Sequence, residues 1–285
     1  MTALDADAGR LASIAGAEVR QHGDIGDGGW LAGVVREARP HHVFHLAAAI
    51  GTAVEDAGAF FDRNVAPTLT LLEVVRREAP QATILLASSS AVYGDAGGPV
   101  PVGEDTPLRP RTAYGASKAC QELLALQYWL GHGLRTIRVR TFNLVGPGQS
   151  PALVAAAVAY QIVECERSGR GSVRVGATHA RRDFLDVRDA VSAYRALAAR
   201  GEPGEVYNVC SGRSHAIQEC VDMLVAHARR PLTVSLDAGR LRGIDVVEQV
   251  GDNARLRAAT GWQPRLPLET SLLDLLDDAR GRTST

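Results

Sequence analysis

The sequence predicts an α/β fold, a doubly wound parallel sheet with helices on both faces and a smaller α/β portion beyond it. Three observations carry this. Thr83 to Ala87 is a continuous apolar run of strand length, the pattern of a strand buried on both faces of a parallel sheet. Longer helix-like stretches separate such runs, which is the alternation of a wound sheet. Three hydroxyls, Ser88-Ser89-Ser90, follow that strand, and the carboxyl ends of strands are where open α/β sheets meet their ligands.

Composition narrows the function. The 285 residues carry a formal net charge of −1 with both signs interspersed, so no basic stripe argues for nucleic acid or an anionic membrane. The four cysteines, Cys120, Cys165, Cys210 and Cys220, show no C-x-x-C spacing, which argues against zinc or any other metal and for reduced thiols in a cytoplasm. No apolar run approaches the roughly 20 residues of a membrane helix, and no signal peptide opens the chain, so a soluble cytoplasmic protein is expected.

In chain order, Met1 to Asp5 reads as the end of a strand, Gly9 to Ala15 as a short helix and Glu18 to Gln21 as a second strand. A dinucleotide-binding fold normally opens with a strand, a glycine-rich turn and a helix whose N-terminus holds the pyrophosphate. That turn is not in the sequence, so the sheet is expected to lack its first strand and the 285-residue chain to bind NAD(P) weakly. Asp5 stands where an acidic residue ends the second strand and binds the adenosine ribose. This leans towards NAD over NADP and implies roughly thirty residues ahead of Met1; the alternative is an ordinary strand-end turn. His42 to Leu46 is a short apolar strand followed by the small residues Ala47-Ala48-Ala49, and Asn64-Val65 opens a helix. Leu134 to Thr141 is a strand, Leu153 to Arg167 a helix, Val173 to Gly176 and Glu205 to Asn208 strands, and Ser214 caps a helix reaching about His227.

The chemistry is expected on the helix that begins at Thr112. Lys118 is the sole lysine among 31 basic residues, and Tyr114 precedes it by four, the spacing that puts phenol and ammonium on one helix face. A cation there favours the phenolate and lowers the tyrosine pKa towards working pH, as general acid–base catalysis requires. A solvated surface pair is the bland alternative, which the uniqueness of Lys118 opposes because an exposed charge can equally be arginine.

With Ser88-Ser89-Ser90-Ala91-Val92-Tyr93-Gly94 upstream, Tyr114 and Lys118 resemble the extended short-chain dehydrogenase/reductases, the NAD-dependent epimerase/dehydratase family acting on nucleotide sugars. The resemblance covers nearly the whole chain. Phe142 to Ser150 points to the branch of GDP-mannose 4,6-dehydratases and GDP-4-keto-6-deoxymannose reductases. It implies a Rossmann-like fold with a dinucleotide-binding domain over 1–146 and a substrate-binding domain over 147–285, of which about 177–209 returns to the first. It implies Ser89, Tyr114 and Lys118 as catalytic residues. Cofactor contacts would come from Asp5, Asp24, Ile25, Ala47, Ala48, Ala49, Asn64, Tyr114 and Lys118. Substrate contacts would come from Ser89, Ser90, Asn143, Arg182, Arg242 and Asp245, the last two in Arg240 to Val246, where Gly243 replaces the usual proline. Asp24 could equally cap a helix, and Arg182 could pair with Asp183 or Asp186. The dehydratases carry acids just before Val-Tyr-Gly for the elimination, where this chain has Ser90 and Ala91. That disfavours dehydration and leaves reduction or epimerisation.

The expected protein is thus an NAD- or NADP-dependent reductase of a GDP-linked 4-keto-6-deoxyhexose, working as a homodimer. A nucleotide-sugar 4-epimerase is the enzymatic alternative, and a catalytically silent nucleotide-sugar binding protein the non-enzymatic one.

Overall fold

A computed structural model describes the chain except for residues 8–16, 18, 51–56, 96–100, 238, 240–245 and 283–285. The expected helix at Gly9 to Ala15, and Arg242 and Asp245, lie outside the described residues. The chain divides into two compact units. The first comprises Met1–Gly94, Leu108–Arg140 and Ala196–Tyr207; the second comprises Asp95–Pro107, Thr141–Arg195 and Asn208–Thr285.

In the first unit, β1 (Thr2–Asp5) runs parallel to β2 (Val19–His22) as a two-stranded sheet. A second sheet has the order β3 (His42–His45), β4 (Thr83–Ser89), β5 (Thr136–Thr141) and β9 (Val206–Val209), with β3 and β4 parallel. Among the described residues no strand pairing joins β1 to β3. Leu4 of β1 and Val43 of β3 nevertheless pack on one core, built from Leu31, Leu71, Leu72, Val75, Ile84 and Leu134.

Helix α1 (Gly28–Ala38) starts at Asp27, whose carboxylate accepts from the backbone N–H groups of Gly29 and Trp30 and so satisfies two of the free donors of the first turn. The aspartate that caps this helix is therefore Asp27 and not Asp24. Its apolar face packs on α3 (Ala66–Glu78), which follows a short α2 (Ala57–Phe60) and a π turn over Phe61–Val65. Helix α4 (Ala113–His132) is capped by Thr112, whose hydroxyl accepts from Gly115 N–H at 3.0 Å, and ends at Gly133, where φ is 68°.

In the second unit, β8 (Arg181–Asp186) is the central strand, flanked by β10 (Ser214–Ala216) and β12 (Glu248–Gln249), with β6 (Asn143–Val145) also paired to it in parallel. The expected cap at Ser214 is replaced by strand: residues 214–216 pair antiparallel with β8, and helix α7 (Ile217–Ala226) begins after them. The hydroxyl of Ser214 is taken by Arg181 Nε at 3.1 Å and by Glu248, so the side chain serves the sheet and not the helix end. Strand β7 (Ser172–Val175) pairs in parallel with β11 (Thr233–Leu236). Helices α5 (Val154–Ser168), α7 and α9 (Leu268–Arg282) bury Ile162, Val163, Leu224, Leu272 and Leu275 in one core. Arginines serve the carbonyl ends of these helices: Arg230 Nη1 reaches Cys165 O and Arg280 Nη2 donates to His227 O, cations where helix dipoles favour them.

Candidate functional site

Tyr114, Lys118 and Glu122 occupy successive turns on one face of α4, and each meets one of three consecutive residues at the carboxyl end of β4. The Tyr114 phenol stands beside Ser89, whose side chain favours the ionised form. Lys118 Nζ donates to Ala87 O at 2.8 Å, and Ser88 Oγ donates to Glu122 Oε1 at 2.6 Å. Ser89 has extended backbone, and its Oγ also accepts from Ala91 N–H at 3.2 Å, which starts the short 3₁₀ turn over Ser90–Val92. Gly115 makes the close approach possible, because a Cβ there would stand 2.7 Å from Ala91 O.

Burial sets the protonation of Tyr114 and Lys118. It raises the Tyr114 phenol above 10, and the Ser89 side chain only partly opposes it. Burial also lowers Lys118 from 10.5 to about 8, against the pull of the Glu122 carboxylate. The expected lowering of the tyrosine by the lysine is therefore not what this arrangement produces, since the ammonium is committed to the Ala87 carbonyl. Tyr114 holds its proton at neutral pH, the state of a general acid.

Behind this face lies a buried polar cluster. Asn64, in the π turn, accepts from Ala49 N–H at 2.7 Å and donates to Ala49 O at 3.2 Å and to Ser117 Oγ at 3.0 Å. Its amide is thus spent on fixing the backbone at Ala49 and on Ser117. His45 at the end of β3 meets Thr68 Oγ1 at 2.8 Å, as does Gln121 Nε2 at 2.5 Å. Burial, aided by the nearby Lys118 charge, lowers His45 to about 4, so the ring is neutral.

The other expected contacts are placed less tightly. Asp5 Oδ1 accepts from Asp7 N–H and Asp24 Oδ1 from Gly26 N–H, both at 2.8 Å, so each carboxylate closes a local turn. Ile25 packs at the edge of the first unit's core, and Ser90 is buried. In the second unit Asn143 Nδ2 donates to Asp183 O at 3.1 Å. Arg182 Nη1 donates to the carbonyls of Arg181 (2.8 Å) and Val246 (2.6 Å). Asp183 accepts from Ser211, Gly212 and Gly251, and Asp186 binds Arg188.

Lys118, Tyr114 and the small-residue segment after β3 fit the nicotinamide and ribose end of a dinucleotide, whereas no motif of the sequence supplies a pyrophosphate turn. A cleft of about 660 Å³, lined by Glu166, Arg167, Arg229, Arg230 and Arg280 among others, contains none of these residues, and two of its arginines, Arg230 and Arg280, stand at the carbonyl ends of helices. Among the described residues no three His, Cys, Asp or Glu side chains group as metal ligands, and no helix is long and apolar enough to cross a membrane.

Sequence reasoning passed over Glu122, Arg140, Thr68 and Gln121. The signal for Glu122 was available, for it continues the four-residue spacing of Tyr114 and Lys118. Arg140 lies 18 residues beyond Glu122, on strand β5 where Glu122 is on a helix, and only the fold joins them.

Comparison with known proteins agrees with this arrangement. The family model for GDP-mannose 4,6-dehydratase matches residues 8–275. A GDP-6-deoxy-D-mannose reductase of Pseudomonas aeruginosa is 36% identical over 247 residues, covering 85% of this chain and 81% of that protein. The structure of RMD from Pseudomonas aeruginosa complexed with NADPH superposes with a TM-score of 0.85 at 33% identity, over 96% of this chain and 94% of that one. A Thermus thermophilus UDP-glucose 4-epimerase in complex with NAD reaches 0.86 at 28% identity, over 98% and 91%. Together with the Tyr114, Lys118 and Ser89 geometry at the end of a parallel strand, these matches show that the chain belongs to the GDP-mannose 4,6-dehydratase family of NAD(P)-dependent, Rossmann-fold enzymes.

Proposed function

We propose that the chain reduces the 4-keto group of a GDP-linked 4-keto-6-deoxyhexose with NAD(P)H. The observation that carries this is a buried phenol holding its proton against Ser89, with Ser90 and Ala91 where an elimination would need acids. The 36% identity to a GDP-6-deoxy-D-mannose reductase supports the substrate class.

The cofactor supplies a hydride to the carbonyl carbon. The Ser89 hydroxyl donates to the carbonyl oxygen and fixes its place beside Tyr114. Tyr114 gives its proton to that oxygen, which completes the alcohol. The resulting phenolate is a buried anion that takes a proton back before the next turnover, and Lys118, one turn along the same helix and held at the Ala87 carbonyl, faces the nicotinamide ribose. Arg182 presents its guanidinium to the substrate diphosphate, a charge-assisted contact suited to a planar fork. Asn143, Arg242 and Asp245 complete the substrate contacts, and Asp5, Asp24, Ile25 and Ala47–Ala49 those of the cofactor.

Incubating the chain with a GDP-4-keto-6-deoxyhexose and NADPH or NADH tests this. One reduced cofactor consumed per alcohol formed is expected. Interconversion of 4-epimers without net oxidation of cofactor would establish the epimerase reading, which the likeness to UDP-glucose 4-epimerases motivates.

The proposal extends to a cytoplasmic homodimer. Four free cysteines, three of them buried, suit a reducing compartment. Leu123 and Leu130, seven residues apart on α4, are 60% and 74% exposed and give that helix an apolar outer stripe for a second copy to cover. Light scattering on the purified chain should give twice the monomer mass.

A further inference from the structure

The reaction above uses Tyr114, Lys118 and Ser89, and it leaves unexplained a buried ion pair one turn further along α4. Glu122 and Arg140 are 1% and 4% exposed. Arg140 Nε stands 3.0 Å from both carboxylate oxygens of Glu122, and Nη2 is 2.8 Å from Oε2. Such a pair is a poor way to stabilise a fold, because the loss of hydration of two charges offsets most of their attraction; a well-packed apolar pair would serve as well. Its contacts indicate what else it does. Glu122 also holds the Ser88 hydroxyl, immediately before Ser89. Arg140 Nη1 donates to the Tyr93 hydroxyl at 3.0 Å, and its Cζ lies 4.9 Å from the centre of that ring, just after the turn that Ser89 begins. The chain on both sides of Ser89 is therefore tied to one carboxylate, which stands one turn from Lys118 on the same helix face.

We propose that Glu122, held by Arg140, is a positioning residue that seats Ser89 against Tyr114 and supplies the counter-charge for the Lys118 ammonium. This rests on the assignment of Tyr114, Lys118 and Ser89 to the reaction. The groups facing Lys118 single out Glu122. On α4 these are Tyr114 and Glu122. From β4 come Ala87 and Ser88, which do not titrate. From β3 comes His45, neutral above about pH 4. Arg140 is spent on Glu122 and on the Tyr93 hydroxyl. Across neutral and alkaline pH, Glu122 is thus, among the described residues, the carboxylate that opposes the effect of burial on Lys118.

The sole lysine of the chain makes the test direct, since protein labelled with ¹³Cε-lysine gives a single lysine signal, that of Lys118. Its titration midpoint is expected near 8 in the parent and roughly one pH unit lower in Glu122→Gln, which keeps an acceptor for Ser88 but removes the charge. An unchanged midpoint overturns the counter-charge role. Should Glu122→Gln fail to fold, the double variant Glu122→Gln/Arg140→Met removes both charges together and is expected to show the same lowered midpoint, with an unchanged one again overturning it. The titration needs no substrate, so a wrong reaction assignment would leave its outcome readable. Seating of Ser89 is tested by Ser88→Ala, which leaves every charge in place. Its lysine midpoint should match the parent while kcat for keto-sugar reduction falls about tenfold at steady KM, as for a contact realised in the transition state. A parent-like kcat would overturn the seating role.

Discussion

Replacing Tyr114 by Phe separates chemistry from stability at one atom. In the folded chain the phenol oxygen stands beside Ser89, while the ring stacks edge-on to Phe60 at 6.2 Å between centroids. Phe keeps the ring contact and loses at most one polar contact, worth about 1 kcal/mol net, and Ser89 keeps its bond from Ala91 N–H. Unfolding free energy should therefore change by less than about 1 kcal/mol. If Tyr114 is the proton donor, turnover should fall by about 10²–10⁴, the usual contribution of general acid catalysis. At about 1.36 kcal/mol per decade that is roughly 3–5 kcal/mol of barrier. The assay pairs urea unfolding with NADPH oxidation in the presence of keto-sugar. Turnover within tenfold of the parent would refute the acid role. A stability loss as large as the barrier increase would show that the phenol is structural.

Lys118→Met should abolish turnover yet stabilise the fold at pH 7. Holding an ammonium whose pKa is lowered from 10.5 to about 8 costs on the order of 3 kcal/mol, and leaving Ala87 O unpaired returns only part of it. The unfolded chain binds more protons at this site between 8 and 10.5, so the parent gains stability as pH rises through that window and the difference in Tm between the two proteins should shrink there. His45 acts at the acid end. With its folded pKa near 4 and an ordinary value of 6.5, the unfolded state takes the proton first, so stability should fall by on the order of 3 kcal/mol as pH drops from 6.5 to 4. His45→Gln should flatten that limb in urea titrations at pH 4.5 and 7, and an unaltered slope would place the acid sensitivity elsewhere. Arg182→Ala should raise KM for the nucleotide sugar by roughly tenfold or more, as loss of a charge-assisted contact of about 1.5–3 kcal/mol implies; calorimetry with GDP in place of the sugar nucleotide would show whether the loss lies in diphosphate binding.

Much of the site could be read from the sequence because its spacing is local. Tyr114 and Lys118 are neighbours on any helix, and the Ser88–Ser90 hydroxyls at a strand end follow from the apolar run before them. The apolar strand at Thr83 was visible for the same reason and lengthened by only two residues, to Ser89. What failed depended on distance in space. Ser214 has the composition of a helix cap, yet pairing with β8 gave its backbone a better use. Asp24 and Asp27 are equally plausible caps in sequence, and only the position of the first turn of α1 decides between them. The protonation of Tyr114 was misjudged because a helix wheel shows which groups are near one another but not which are buried, nor that a backbone carbonyl would take the ammonium.

The division of the first unit's sheet has a bearing on how the chain behaves in solution. Among the described residues β1 is paired only through β2 and β3 only through β4, so each turns a row of backbone donors and acceptors outwards. Beside them Phe44 is 41% exposed, Leu46 59% and Ile50 63%. Four residues of open edge next to exposed apolar side chains form a template for strand addition, and natural sheets blunt such edges with charges, prolines or covering loops. Phe44-His45-Leu46-Ala47 offers neither acid nor proline there. These edges therefore make self-association through β-strands the characteristic hazard of the first unit, with an added parallel strand as the complement that relieves it.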